Sequence, residues 1–169
     1  MTVYLGLDPG LHGGIASVSN ESGWRGVARI MPVVGGVIDV RDVSDGLVKI
    51  HSEFGLHVVI EQVGAMPKQG LSSTFKFGMG YGQLIGMCQA LGLPYSLVRP
   101  QAWKGKVLAG TQKDKDAAIA FCMREYPSVR LIPERCRVPH DGIADALCLA
   151  HYGAHFLSPS TPSSALELT

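Results

Sequence analysis

The chain has 169 residues, 46% of them hydrophobic, and a formal net charge of +1. That length fits one domain of common size with a core of its own, and the near-neutral charge excludes a strongly basic protein. No apolar run approaches the roughly 20 residues needed to span a bilayer, and the start, Met1-Thr-Val-Tyr-Leu-Gly-Leu-Asp8, has no basic region or signal-peptide cleavage pattern. These features imply a soluble, cytoplasmic protein with no membrane partner.

The opening reads as strand, turn, strand. Val3 to Asp8 is followed by the turn signal Pro9-Gly10, then by a second strand from Gly14 to Asn20. A third strand around Trp24 to Pro32 completes an antiparallel meander. Val43 to Phe54 has helical spacing, with Leu47, Ile50 and Phe54 three or four apart, and Gly55 can end that helix. His57 to Glu61 is a short, nearly all-apolar run that suits a buried parallel strand. After the loop Gly64 to Gly70, Ser72 to Leu91 reads as a long helix closed by Gly92-Leu-Pro94. Tyr95 to Val98 is another short strand, Arg99 to Lys104 begins a short helix or loop, Gln112 to Tyr126 is helical, and Asp141 to Phe156 is the last helix. Residues 1–157 form the one domain. Residues 158–169, rich in Ser, Pro and Thr, read as a loosely ordered tail. An antiparallel start that continues into strand–helix alternation predicts an α/β protein with one mixed sheet flanked by helices. In that order the first and fourth strands can be neighbours at the sheet centre.

Charge is unevenly spread. Residues 1–62 carry a net of −3, whereas residues 99–137 hold nine basic and four acidic residues, a net of +5. A basic segment beside an acidic cluster suits a phosphate-bearing substrate. The four cysteines, Cys88, Cys122, Cys136 and Cys148, have no Cys-x-x-Cys pair and read as scattered thiols in a reducing compartment rather than as zinc ligands or disulfides.

Four acids stand where these elements would bring them together. Asp8 and Glu61 end the first and fourth strands. Asp141 and Asp145 have i,i+4 spacing, which places both on one helix face. Singly, each has a bland reading: Asp8 as a turn residue in Asp-Pro-Gly, Glu61 as a strand end, Asp141 as a first-turn acid favoured by the helix dipole. Asp145 is the hardest to dismiss, because Ile143, Ala144, Ala146, Leu147 and Leu149 surround it. Carboxylates gathered in this way need a cation between them. Hard oxygen ligands select Mg²⁺ or Mn²⁺ over zinc, and two such ions can drive phosphodiester cleavage.

Leu5-Gly-Leu-Asp-Pro-Gly10, Gly13-Gly14-Ile15-Ala16, Ile60-Glu61-Gln62-Val63 and Asp141-Gly-Ile-Ala-Asp-Ala-Leu147 resemble the RuvC Holliday-junction resolvases, of the retroviral-integrase/RNase H-like superfamily. The likeness runs from residue 3 to about 155. It implies an RNase H-like five-stranded sheet, three strands antiparallel and the rest parallel. It also implies a homodimer that nicks two opposing strands of a four-way DNA junction symmetrically, using two Mg²⁺ per site, for which Mn²⁺ can substitute. Asp8 matches the first-strand acid, Glu61 the Glu before Gln-Val, and Asp145 the Asp of Asp-Ala-Leu. Asp141 matches the remaining helix acid. It lies four residues before Asp145 where many bacterial members have three, and mitochondrial and poxviral relatives are closer to this spacing.

Members of that family carry functional lysines between the last strand and the last helix. By position Lys104 and Lys115 are the counterparts, with Lys106 and Lys113 as near alternatives, and lysine beside a scissile phosphate can bind backbone or stabilise developing charge. Lys68 joins these lysines in the expected DNA-binding set. Bacterial members often carry an aromatic wedge soon after Glu-Gln-Val; here the run is Gly64-Ala65-Met66, which leaves Met66 as an apolar wedge. The helix 72–91 matches the family's dimer helix, and its glycines at 78, 80, 82 and 86 suit close approach to another helix or to DNA. His140 could move a proton or cap the last helix. Two other nucleic-acid readings stay open, a catalytically silent branched-DNA-binding module and an RNase H-type nuclease on RNA–DNA hybrids. The Gly-Leu-Asp-Pro-Gly motif also resembles the first phosphate motif of sugar kinases and actin-like ATPases, but no second such motif follows.

Overall fold

Val3, Leu5 and Leu7 face one side of strand β1 (Thr2–Leu7) and Tyr4 faces the other, and each side is covered by its own helical layer. β1 is therefore buried on both faces. In this computed structural model, which describes residues 1–19, 21, 26–64 and 70–157, β1 is the middle strand of a five-stranded sheet in the order β3-β2-β1-β6-β7. β2 (Gly14–Ser19) and β3 (Val27–Ile30) add antiparallel. On the other side β6 (Gly55–Glu61) and β7 (Tyr95–Val98) add parallel. The mixed sheet and the central pairing of first and fourth long strands are as the sequence predicts. The third strand is shorter than the span from Trp24 to Pro32, and Trp24 lies outside the described residues.

Between β3 and the first helix is a feature the sequence reading left unassigned. β4 (Val33–Val34) and β5 (Val37–Ile38) form a small hairpin. Its two-residue turn is Gly35-Gly36, with φ of 58° and 77°, a left-handed pair that glycine adopts without steric cost.

Helix α1 (Val40–Glu53) starts three residues earlier than position 43 because the Asp39 carboxylate caps it, accepting from the Asp42 N–H at 3.1 Å. α2 (Leu71–Ala90) is continuous through its glycines. α1 and α2 cover one face of the sheet, enclosing Leu47, Leu84, Val58 and Ile60. α3 (Pro100–Val107), α4 (Lys115–Glu125) and α5 (Asp141–Phe156) cover the other. α4 begins at 115 rather than 112: Lys113 has φ of 58°, which no helix can contain, and the Asp114 carboxylate then caps the Ala117 N–H at 2.9 Å. Each fully buried Leu or Ile in these layers contributes roughly 1.5–3 kcal/mol relative to exposure.

α5 lies unusually close to the sheet. A Cβ on Gly6 of β1 would overlap the Ala146 carbonyl and stand 2.7 Å from the Ala150 nitrogen. A Cβ on Gly14 of β2 would stand 2.8 Å from the Ile143 Cα, and one on Gly142 would stand 2.7 Å from the Gly13 Cα. Backbone therefore meets backbone, and nothing larger than glycine fits at these points. α4 runs parallel to α5: Lys115 pairs with Asp141, and seven residues along each helix Cys122 Sγ lies 3.7 Å from Cys148 Sγ. All four cysteines are free, but these two are buried neighbours rather than scattered thiols.

Candidate active site

The last registered pair of the central parallel strands is Leu7 with Ile60, so Asp8 and Glu61 emerge next to each other at the carboxyl edge of the sheet. Asp8 is fixed through its backbone, its N–H donating to the Gly14 carbonyl at 3.0 Å. Asp145 arrives from α5, which the glycine contacts hold down on β1 and β2. It is flanked by Ala144 and Ala146, neither of which has measurable exposure.

These acids lie close enough to feel one another's charge. Burial, then the charges of Glu61 and Asp145, push the Asp8 carboxyl up to about 7, against a hydrogen bond from the Gly10 backbone. Asp145 is pushed up to about 6, by burial first; Lys104 opposes this while Glu61 and Asp141 add to it. Burial raises Glu61 as well, against a hydrogen bond from Trp103 and the charge of Lys104. Asp141 behaves differently. Its hydrogen bond with Lys115 holds it below the usual carboxylate range, and Lys115 rises correspondingly. Three acids thus form a buried, self-repelling centre, and Asp141 sits at its rim, 38% exposed, in an ion pair with Lys115.

The two expected lysines both reach this centre. Lys104 acts on Glu61 and Asp145, and its ammonium lies 5.2 Å from the centroid of the neighbouring Trp103 ring. Lys115, besides pairing with Asp141, is felt by Asp145 and Asp8. Lys106 and Lys113 are exposed and make no ion pair among the described residues. Lys68 and Met66 lie outside the described residues. His140 is the α5 N-cap, its Nδ1 accepting from the Ile143 N–H at 3.4 Å. Among the described residues, Gly80 alone of the α2 glycines has neighbours where a Cβ would be, Ile38 and the Pro9 carbonyl, and Gly78, Gly82 and Gly86 have none.

One site residue escaped the sequence reading. Trp103 of α3 is fully buried, and its indole N–H donates to Glu61 Oε1 at 2.9 Å. A buried Trp needs an acceptor for its single polar atom, and here the acceptor is one of the acids. The signal was present in Arg99-Pro-Gln-Ala-Trp-Lys104, where Pro100 at the first helical position fixes the helix start and hence the phase of Trp103 and Lys104.

Among the described residues no three His, Cys, Asp or Glu side chains stand together as they would to hold a metal ion. Glu61 is held by Trp103 and Asp141 by Lys115. The donor chemistry nevertheless fits hard divalent cations. The converging groups are carboxylates, raised by burial and also, for Asp8, by the charges of Glu61 and Asp145 and, for Asp145, by those of Glu61 and Asp141, and a cation between them would offset both. The site is an open sheet edge. A cavity of about 660 Å³ lined by Ile15, Arg29, Asp42 and Leu47 lies on the other face, under α1, away from these acids.

No protein-family model and no curated protein matches this sequence. Solved structures do. RuvC of Thermus thermophilus aligns over 90% of this chain and 93% of its own, with a TM-score of 0.57 and 20% identity. The T. thermophilus RuvC structure in complex with a Holliday junction substrate aligns over 91% and 93%, with a TM-score of 0.64 and 16% identity. The yeast mitochondrial Holliday junction resolvase Ydc2 aligns over 87% and 75%, with a TM-score of 0.53 and 16% identity. The chain therefore has the RuvC-type, RNase H-like fold, with its buried acids at the carboxyl edge of the two central strands and at the start of the last helix.

Proposed function

We propose that the protein is a divalent-metal-dependent endonuclease that resolves four-way DNA junctions by paired symmetric nicks, acting as a homodimer. The observation that carries this reading is the convergence of Asp8, Glu61 and Asp145 from two strands and a helix into one buried, mutually repelling set, rimmed by Asp141, Lys104 and Lys115. The likeness to structures of junction resolvases supports the substrate class.

In this reading Asp8, Glu61, Asp141 and Asp145 hold two Mg²⁺, or Mn²⁺ in their place. Those ions supply water activation and charge stabilisation on the leaving oxygen when a phosphodiester P–O bond is hydrolysed. The chain's own groups set the stage. Trp103 orients the Glu61 carboxylate, and the glycine contacts of α5 fix Asp145 against the strand ends. Lys104 and Lys115 present ammonium groups to the phosphate backbone and to the charge that develops on it.

The exposed side of α2 supports the dimer in this reading. That helix carries one charged residue, Lys76, and the exposed stripe of residues 71, 75, 78, 82 and 86 is apolar or small. Leu71 is 90% and Phe75 74% exposed, and Gly78, Gly82 and Gly86 continue the same stripe with open space above them. A second copy of α2 laid along this stripe would bury the two apolar side chains and approach backbone to backbone at the glycines. Two sites related by a two-fold axis would then match the two-fold symmetry of a four-way junction.

The test is incubation with a labelled four-way junction, a linear duplex and an RNA–DNA hybrid, with Mg²⁺ and with EDTA, beside Asp8→Asn. Paired junction nicks that need Mg²⁺ and vanish in the variant are expected. Binding without cleavage under every metal points to a silent module, and preferred cutting of the hybrid overturns the junction assignment.

A further inference from the structure

Between α4 and α5 the chain returns to the catalytic end through a loop whose base is closed. The His140 N–H donates to the Leu131 carbonyl at 2.9 Å, and Leu131 is anchored in the core. At the tip the Cys136 N–H bonds the Pro133 carbonyl at 3.1 Å, and Arg135 has φ of 66°, a left-handed conformation uncommon for a residue with a long side chain. The loop is thus a shaped projection. It joins directly to Asp141, the rim acid paired with Lys115.

Its exposed side chains include Arg135, Arg137 and Val138, the last 69% exposed. Arg130, just before the loop, spends its Nε on the Ile132 carbonyl. Neither Arg135 nor Arg137 has a carboxylate partner among the described residues. The chain as a whole is nearly neutral, yet these two guanidinium groups, with Glu134 between them and Pro133, end the segment that carries its positive excess, six and four residues in sequence before Asp141. Guanidinium groups match phosphate oxygens in a bidentate manner, and positive groups around an acidic site offset its repulsion of a polyanion.

We propose that the loop 131–140 is a second DNA-backbone contact, in which Arg135 and Arg137 each take a phosphate flanking the one to be cut. This rests on the nuclease reading above, and it adds a grip outside the acids and lysines of the site. A purely solvated loop would bear the same charges but would leave the salt dependence of binding untouched.

The experiment measures junction affinity by fluorescence anisotropy from 50 to 300 mM NaCl, with Asp8→Asn as the parent so that nothing is cut. Adding Arg135→Gly, which retains the left-handed backbone, and Arg137→Ala should reduce the slope of log affinity against log salt by about 2 per protomer and weaken binding about ten-fold or more at low salt. Arg135→Lys with Arg137→Lys should keep most of the slope. Arg41→Ala, an exposed arginine on α1 across the sheet, should leave it unchanged. Unchanged melting temperatures establish that the variants fold. Equal slopes for parent and loop variant, with the parent binding normally, overturn the loop contact alone. No junction binding by the parent overturns the DNA reading and the loop contact with it.

Discussion

Trp103 and Glu61 are joined by a 2.9 Å hydrogen bond from an indole that has no exposed surface. The acid is half-buried and repelled by its neighbours, so one oriented donor decides where its oxygens point. Trp103→Phe keeps the ring and removes only the N–H. A hydrogen bond to a charged group contributes about 1.5–3 kcal/mol, and losing a donor behind a metal ligand typically costs about 10–100-fold in metal affinity or activity. The variant should need at least several-fold more Mg²⁺, both for half-maximal cleavage and for half-maximal thermal stabilisation, while binding junctions normally without metal. An unchanged Mg²⁺ requirement would remove Trp103 from the site and leave it as core packing.

The acids make a second prediction, for the metal-free protein. Asp8 is raised from 3.8 to about 7 and Asp145 from 3.8 to about 6. A carboxyl raised in the folded state binds its proton more tightly there than in the unfolded chain. Its stabilising contribution is complete below about pH 4 and is lost as pH climbs through 6 to 7. In EDTA, Asp8→Asn should therefore become progressively more stable than the unchanged protein between pH 5 and 8, by on the order of 2–4 kcal/mol at the upper end. Mg²⁺ should stabilise the unchanged protein strongly at pH 8 and little at pH 5. Differential scanning calorimetry across that range checks both, and a pH-independent difference would mean that Asp8 is not buried among like charges.

The sequence carried the acids because strand ends and i,i+4 helix positions are local patterns. It carried the sheet because alternating apolar runs and turn signals are local too. What it hid depends on contacts distant in sequence. Trp103 reads as a core aromatic until Glu61 is placed against it. Cys122 and Cys148 read as unrelated until α4 and α5 run parallel. The hairpin of β4 and β5 has only two valines before Gly35-Gly36 and Val37-Ile38 after it, too short a pattern to stand out. Gly6, Gly14 and Gly142 look like motif punctuation, yet they set the distance between α5 and the sheet.

That distance can be tested with two alanines. Gly6→Ala must displace the Ala146 carbonyl, which is helix backbone and cannot swing aside. Overpacking of this kind costs about 1–3 kcal/mol or more. It should also lift α5 and carry Asp145 away from Asp8, so junction cleavage should fall further than the loss of stability explains. Gly105→Ala, within α3 where a Cβ meets open space, is the contrast. Removing an interior helix glycine should stabilise by about 0.5–1 kcal/mol. Equal effects of the two substitutions in thermal melts would mean that α5 does not rest on the sheet backbone.

Lys115 and Asp141 separate function from stability in the opposite way. Their ion pair joins the start of α4 to the start of α5, but the lysine is 75% exposed and the aspartate 38%. Exposed pairs of this kind contribute about 0–1 kcal/mol, and salt screens them. Lys115→Ala should therefore leave the melting temperature nearly unchanged. It removes the positive charge that Asp141, Asp145 and Asp8 all feel, and under the proposed nuclease function its effect falls on the substrate phosphate. Cleavage of a saturating junction should fall by about 10-fold or more, with binding weakened far less. Cleavage rates and melting temperatures measured together decide the matter. A large loss of stability with unchanged cleavage would make Lys115 a clamp between α4 and α5 and nothing more.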